Sequence, residues 1–245
     1  MSESALIMPL VVLVLLGLAA TSGGPAGAGS GARPRIYTTR FPLTENPISE
    51  GGQWVNGRQE GLDWADVCTR AGFAFGTESG TAQGAARYDD STALLTGVWR
   101  PDQMAQATVR IVNQDEELYE EVELRLRSAL SAHKATGYEI LFRCLKTDNA
   151  YAEIVRWNGP LGDFTYLTRA RGVQYGVADG DVVKATIIGN VITAYINGVQ
   201  MLQATDDTYA SGSPGIGFFL EGASGMNADY GFTEFMASDE PARLR

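Results

Sequence analysis

The chain has 245 residues, 44% of them hydrophobic and 20% charged, which is ordinary globular usage and enough apolar mass for a sizeable core. A formal net charge of -10 argues against nucleic acid, whose phosphates demand clustered Lys and Arg, and against docking on anionic lipid. Two cysteines, Cys68 and Cys144, and one histidine, His133, are too few for a Cys/His zinc site or an HExxH metalloprotease, and they make a Ser-His-Asp triad a poor reading.

The chain opens on an apolar run from Ala5 to Ala20, ALIMPLVVLVLLGLAA, shorter than the roughly 20 residues of a membrane span and of signal-peptide length. Residues 1–22 are expected to be a signal peptide or an N-terminal anchor. The stretch before the run, Met-Ser-Glu-Ser, carries Glu3 and no positive charge, so an uncleaved anchor stays open beside export. Residues 23–34 read as a Gly/Ala/Ser-rich linker. Its Gly27-Ala28-Gly29-Ser30-Gly31-Ala32 formally matches a dinucleotide fingerprint, but no strand precedes it and no amphipathic helix follows.

From Arg35 to about residue 240 the pattern is one β domain. Early strands are expected at Ile36–Phe41, Phe73–Phe75, Ala93–Trp99 and Ala107–Ile111. The segment Glu121 to Arg127 alternates strictly, with Val122, Leu124 and Leu126 on one face and Glu121, Glu123, Arg125 and Arg127 on the other. In Tyr138 to Cys144, Ile140, Phe142 and Cys144 take the core face and Glu139 and Arg143 the other. Tyr151 to Trp157 should close at Asn158-Gly159 and return as Phe164 to Thr168. Val183 to Ile188, Val191 to Ile196 and Val199 to Leu202, joined at Gly189-Asn190 and Asn197-Gly198, predict a three-strand meander. In it Val183, Ala185 and Ile187 share a face with Ile192, Ala194 and Ile196. Ile216–Leu220 and Tyr230–Ala237 supply late strands. With no sustained 3.6 periodicity and no crossover helices, so many strands must form two packed antiparallel sheets, an all-β jelly-roll sandwich.

The run from Gly180 to Leu220, GDVVKATIIGNVITAYINGVQMLQATDDTYASGSPGIGFFL, resembles the C-terminal half of concanavalin A-like lectin/glucanase domains. Gly137 to Cys144, Asn149 to Trp157, and FPLTENPISEGGQW from Phe41 to Trp54 resemble the strands before it. Laminin-G-like and 3-keto-disaccharide hydrolase-like domains share this layout. The resemblance implies the fold over about residues 35–238, but it is weak for activity, because the fold hosts lectins, hydrolases, lyases and adhesion modules. The glucanase Glu-x-Asp-x-Glu motif fails here: its nearest counterpart is Glu121-Val-Glu123-Leu-Arg125. The Gln-x-His motif of alginate-lyase-like members is absent.

The expected function is therefore carbohydrate binding by a secreted, periplasmic or surface sandwich with no catalysis of its own and no required cofactor. The alternatives are a glycan-active hydrolase or lyase working on the concave face, and an anchored structural or adhesive protein. The partner is a glycan or polysaccharide, not nucleic acid, with membrane contact only through an uncleaved N-terminal segment. Glu123, Arg125 and Arg143 would form a mixed-charge groove suited to sugar hydroxyls or uronates, or else pair across strands on a solvated face. Trp157 and Tyr166, flanking a hairpin, would stack on pyranose rings or pack at a sheet edge. Trp54, Trp64 and Trp99 read as core or loop anchors and His133 as a solvated loop residue, while the enzyme alternative would use Arg125 and Arg143 to neutralise a carboxylate and Tyr166 or His133 for proton transfer. The resemblance also implies a structural calcium at Asp229, with partners from Glu45–Gly51. A Cys68–Cys144 bridge, closing a loop of about 76 residues, is left open by count and compartment.

Overall fold

Short β-favouring runs punctuated by Gly and Asn turns fold into fifteen strands over residues 34–241, the part of the chain described by this computed structural model. They are β1 (Ile36–Thr39), β2 (Trp54–Asn56), β3 (Cys68–Arg70), β4 (Phe73–Phe75), β5 (Ser91–Leu95), β6 (Gln103–Ile111), β7 (Tyr119–Ser131), β8 (Lys134–Arg143), β9 (Tyr151–Gly159), β10 (Phe164–Arg171), β11 (Val182–Ile188), β12 (Val191–Ile196), β13 (Val199–Thr205), β14 (Ser213–Glu221) and β15 (Tyr230–Ser238). Helical geometry among the described residues is limited to turns of three to five residues. The apolar run and its linker through Arg33 lie outside the described residues. No helix among those described is long and apolar enough to cross a membrane.

The strands form two antiparallel sheets. One runs β13-β12-β11-β6-β15-β4-β3, with β1 also on β15; the other runs β10-β9-β8-β7-β14-β5-β2. The meander falls in the expected register, with Val183 opposite Ile196, Ala185 opposite Ala194 and Ile187 opposite Ile192. Its second turn works because Asn197 and Gly198 both take positive φ, 51° and 79°, as a two-residue hairpin demands. Val122, Leu124 and Leu126 of β7 and Ile140 and Phe142 of β8 meet those meander residues in one buried cluster between the sheets. Trp54, Trp64 and Trp99 are buried anchors.

Three local expectations are corrected. The β9–β10 hairpin does not close at Asn158-Gly159. Both residues continue the ladder against Thr136 and Ala135, and the chain turns at Pro160, which has no N–H to give a ladder. The alternation of β7 ends at Leu126: Arg127 takes φ 46°, the register slips between Leu126 and Ala129, and the side chain leaves the face shared by Glu123 and Arg125. Strands β2 and β3, three residues each, were not foreseen. Cys68 and Cys144 are both buried free thiols, Cys68 in β3 of one sheet and Cys144 just past β8 of the other.

Candidate functional site

Alternation sends one set of side chains from the seven-stranded sheet into the core and the other to its outer face. That outer face is not solvated in the usual way. Glu121, Glu123 and Arg125 of β7, Glu139 and Arg143 of β8, and Glu153 and Trp157 of β9 are all buried. The segment between β4 and β5 folds over them, bringing Arg87, Tyr88 and Asp90 onto the same face. Tyr88 packs edge-on to Phe164 at 5.0 Å and stacks on Phe219 of β14 at 6.4 Å, which fixes this cover.

Beneath lies a buried ion cluster centred on Arg125. Its guanidinium reaches Glu123 at 2.5 Å, Glu139 at 2.5 Å and Asp90 at 3.2 Å. Burial alone would lower the Arg125 pKa, but the three carboxylates outweigh it and raise it instead. Burial pushes Asp90 and Glu123 well above the usual carboxylate range; like charge from Glu139 adds to it and Arg125 opposes it. Oxygens of Asp90, Glu123 and Glu139 come within 4.8 Å of one another, a spacing that would suit a metal ion. Arg125 supplies a positive charge among them, one cation shared by three carboxylates. Trp157 donates its Nε1–H to Glu139 at 2.5 Å and packs edge-on against Trp64 at 5.7 Å.

Arg143 serves a different purpose. It donates to the carbonyls of Asn149 at 3.0 Å, Glu116 at 2.9 Å and Leu118 at 2.7 Å, and lies over the rings of Tyr119 and Tyr151. It holds the loops at the head of β7 and β9.

Above the cluster is a cavity of about 280 Å³. Aromatic walls come from Tyr88, Tyr119, Tyr151, Trp157, Phe164 and Tyr166, and polar groups from Asp90, Glu121, Glu139, Glu153, Glu221, Arg87, Arg169 and Arg171. Of the five binding residues read from the sequence, Trp157 and Tyr166 line this cavity. Glu123, Arg125 and Arg143 do not; they lie in the buried layer around it. The cavity-lining Glu121 and Glu153 were not singled out, although their outward positions on alternating strands are the signal that places them there. Burial, aided by Glu153 and Glu139, lifts the Glu121 carboxyl to about 8 against a hydrogen bond from the Tyr151 hydroxyl. Burial lifts Glu153 to about 7 against the pull of Arg169, its direct cross-strand partner. The cavity can therefore offer both carboxylic acid donors and carboxylate acceptors near neutral pH.

The remaining candidates lie elsewhere. His133 occupies the β7–β8 turn and faces Asp63 at 2.9 Å, outside the cavity lining. Asp229 ends a short turn before β15 and belongs to no group of three carboxylates among the described residues. In the Glu45–Gly51 loop, Glu45 accepts from the amides of Ser49 and Glu50, both at 3.0 Å, and Glu50 accepts from Thr39 at 2.5 Å. Those carboxylates are engaged in the loop's own hydrogen bonds.

No protein-family model matches the chain, and neither does any curated protein. Solved structures do. The carbohydrate-binding module CBM66 from Bacillus subtilis superposes with a TM-score of 0.50 at 13% identity, covering 78% of this chain and 95% of that one. The exoplasmic/lumenal domain of VIP36, in its Ca2+/Man3GlcNAc-bound form, gives 0.53 at 10% identity over 82% and 89%. The Emp46p carbohydrate recognition domain, in its potassium-bound form, gives 0.51 at 12% over 83% and 99%. At such identities the likeness speaks for the fold alone, and it agrees with the two-sheet topology described above: the chain is a concanavalin A-like jelly-roll sandwich.

Proposed function

We propose that the cavity on the outer face of the seven-stranded sheet binds a carbohydrate, as the lectin-like site of an exported protein without catalysis of its own. The observation that carries this reading is the cavity itself: about 280 Å³, walled by aromatic rings and edged by carboxyl and guanidinium groups. The C–H face of a pyranose is apolar and packs on such rings, while its hydroxyls need donors and acceptors set around the edge. Support also comes from structural neighbours that are a carbohydrate-binding module and a carbohydrate recognition domain. Export is supported by the apolar run from Ala5 to Ala20 and by a neighbour described as an exoplasmic/lumenal domain. A glycan array probed with the full chain tests the reading. Retention of a defined glycan class is expected, and retention of none overturns it.

A second reading, a glycan-active hydrolase, is favoured by one observation: Glu121 and Glu153 share the cavity with carboxyl groups lifted to about 8 and about 7, the range of a general acid. Asp90 and Glu139, the other acids deep in the cavity, are engaged by Arg125 and poorly placed to serve as base or nucleophile. The lyase variant has less support, since Arg125 and Arg143, which would neutralise a uronate, are held by protein groups. New reducing ends released from a retained glycan would favour the enzyme reading.

A further inference from the structure

Five acids line the cavity, and four of them pair with an arginine, Asp90 and Glu139 sharing Arg125 with Glu123. Asp90 and Glu139 reach Arg125 at 3.2 and 2.5 Å, Glu153 reaches Arg169 at 3.0 Å, and Glu221 reaches Arg87 at 3.7 Å. Among the described residues Glu121 forms no ion pair, and its only side-chain hydrogen bond is from the Tyr151 hydroxyl, to Oε1; it is 7% exposed. A buried carboxyl that opens on a cavity without a counter-ion is held in its neutral form by burial, and a cation entering the cavity is what favours its ionised form.

We infer that the cavity takes an amino sugar, whose protonated amine pairs with Glu121 while the ring packs against the aromatic wall. The inference rests on the carbohydrate-binding reading and narrows it to one substrate class. A uronate would have to use the one cavity-lining guanidinium without an ion pair among the described residues, Arg171. That side chain is exposed at the end of β10, where water already solvates it and pairing gains little. Glu121 is desolvated, so an ammonium group recovers interaction that the empty site lacks.

The pairing carries a proton signature. Facing Glu121 are Glu139 and Arg143 from β8, Tyr151 and Glu153 from β9, Tyr166 from β10 and Asp90 from the covering segment. Burial first, then Glu153 and Glu139, hold its carboxyl at about 8, with Arg143 opposing. At pH 6.5 the empty site therefore keeps a proton on Glu121. Docking of an ammonium group converts the neutral acid to a carboxylate, and that proton leaves to buffer. About one proton is released per amine bound, fewer as pH rises through 8.

The test is calorimetric titration of the full chain at pH 6.5, in two buffers of different ionisation enthalpy. The probes are glucosamine and galactosamine, each beside its N-acetyl form and its parent hexose, with glucuronate and galacturonate as acidic counterparts. The free amines are expected to bind at least tenfold more tightly than their N-acetyl forms and to release close to one proton. Glu121→Gln should collapse that ratio to near one. Should this variant not fold, the proton count in the native chain tests the same point. Amines that bind no better than N-acetyl or acidic sugars, or that release no proton, overturn the amine assignment and leave carbohydrate binding standing. Absence of binding by every sugar here and on the array overturns both.

Discussion

Gly217 on β14 stands directly opposite Glu123 on β7, and a methyl group at Gly217 would lie 2.2 Å from Glu123 Oε2. The same methyl would come within 3.0 Å of Arg125 Nε and 3.1 Å of its second terminal nitrogen. Glycine here is a matter of space: the ion cluster occupies the volume a side chain would need. Gly217→Ala should therefore cost about 2 kcal/mol or more, from overpacking together with loss of ion-pair geometry. Urea unfolding measures it, and a midpoint equal to that of the native chain would mean the cluster can move aside freely.

Arg125→Met removes the one cation shared by Asp90, Glu123 and Glu139. Breaking a buried ion cluster from one side costs on the order of 3–5 kcal/mol. The loss should be larger at pH 8 than at pH 5, because at low pH the abandoned carboxyls can take protons. Equal losses at the two pH values would contradict this account.

The native chain should itself weaken as pH rises. Burial lifts Glu78 and Glu121 to about 8, above their unfolded range near 4.5. Between those values the folded state holds protons that the unfolded state has released, so unfolding is favoured by increasing pH. The stabilising contribution is complete below about pH 4.5 and lost through pH 8, at about 1.4 kcal/mol per pH unit for each retained proton. The urea midpoint should fall from pH 5 to pH 8, and Glu78→Gln should flatten the decline. A midpoint that climbs over this interval would show that other groups dominate.

Tyr166 and Trp157 line the same cavity but differ in burial, at 46% and 3% exposed. Tyr166→Ala should leave stability within about 1 kcal/mol and weaken glycan retention by roughly fivefold, the loss of one aromatic platform. Trp157→Ala should cost about 3–5 kcal/mol, since it opens a hole beside Trp64 and removes a donor from Glu139. Unfolding curves run beside binding isotherms separate the two effects. A Tyr166 variant that binds as well as the native chain would remove that ring from the site.

Period-two alternation made the core legible: Val122, Leu124, Leu126, Ile140 and Phe142 lie on the face read from the sequence. The Asn197-Gly198 turn was legible because its chemistry is local. The fate of the opposite face was not. Alternation says that Glu123 and Arg125 share a side, but only the fold brings Asp90, more than thirty residues earlier, to close it. A charged outer face usually means water, and here tertiary cover overrides that expectation. Glu121 was placed on that face but not among the binding residues, for a related reason. What distinguishes it is that its neighbours on β9, β10 and β14 pair with someone else, and that is a relation among strands far apart in the chain.

Arg127, turned aside by the β7 bulge, donates to the carbonyls of Pro101 at 2.7 Å, Tyr209 at 3.0 Å and Gly189 at 2.7 Å, while its own amide donates to the Gln103 side chain at 2.8 Å. Those acceptors lie in the β5–β6, β13–β14 and β11–β12 connections, which are also tied together by Gly189 N–H to Asp102, Gln103 to the Gly212 carbonyl and Asp206 N–H to the Asn190 carbonyl. Arg127 and these bonds together make this end of the sandwich a single opening unit: a fluctuation large enough to free one of the three loops must release the others with it. Hydrogen exchange along Pro101–Gln103, Gly189–Asn190 and Tyr209–Gly212 would then follow one shared opening event, although these segments are strangers in sequence.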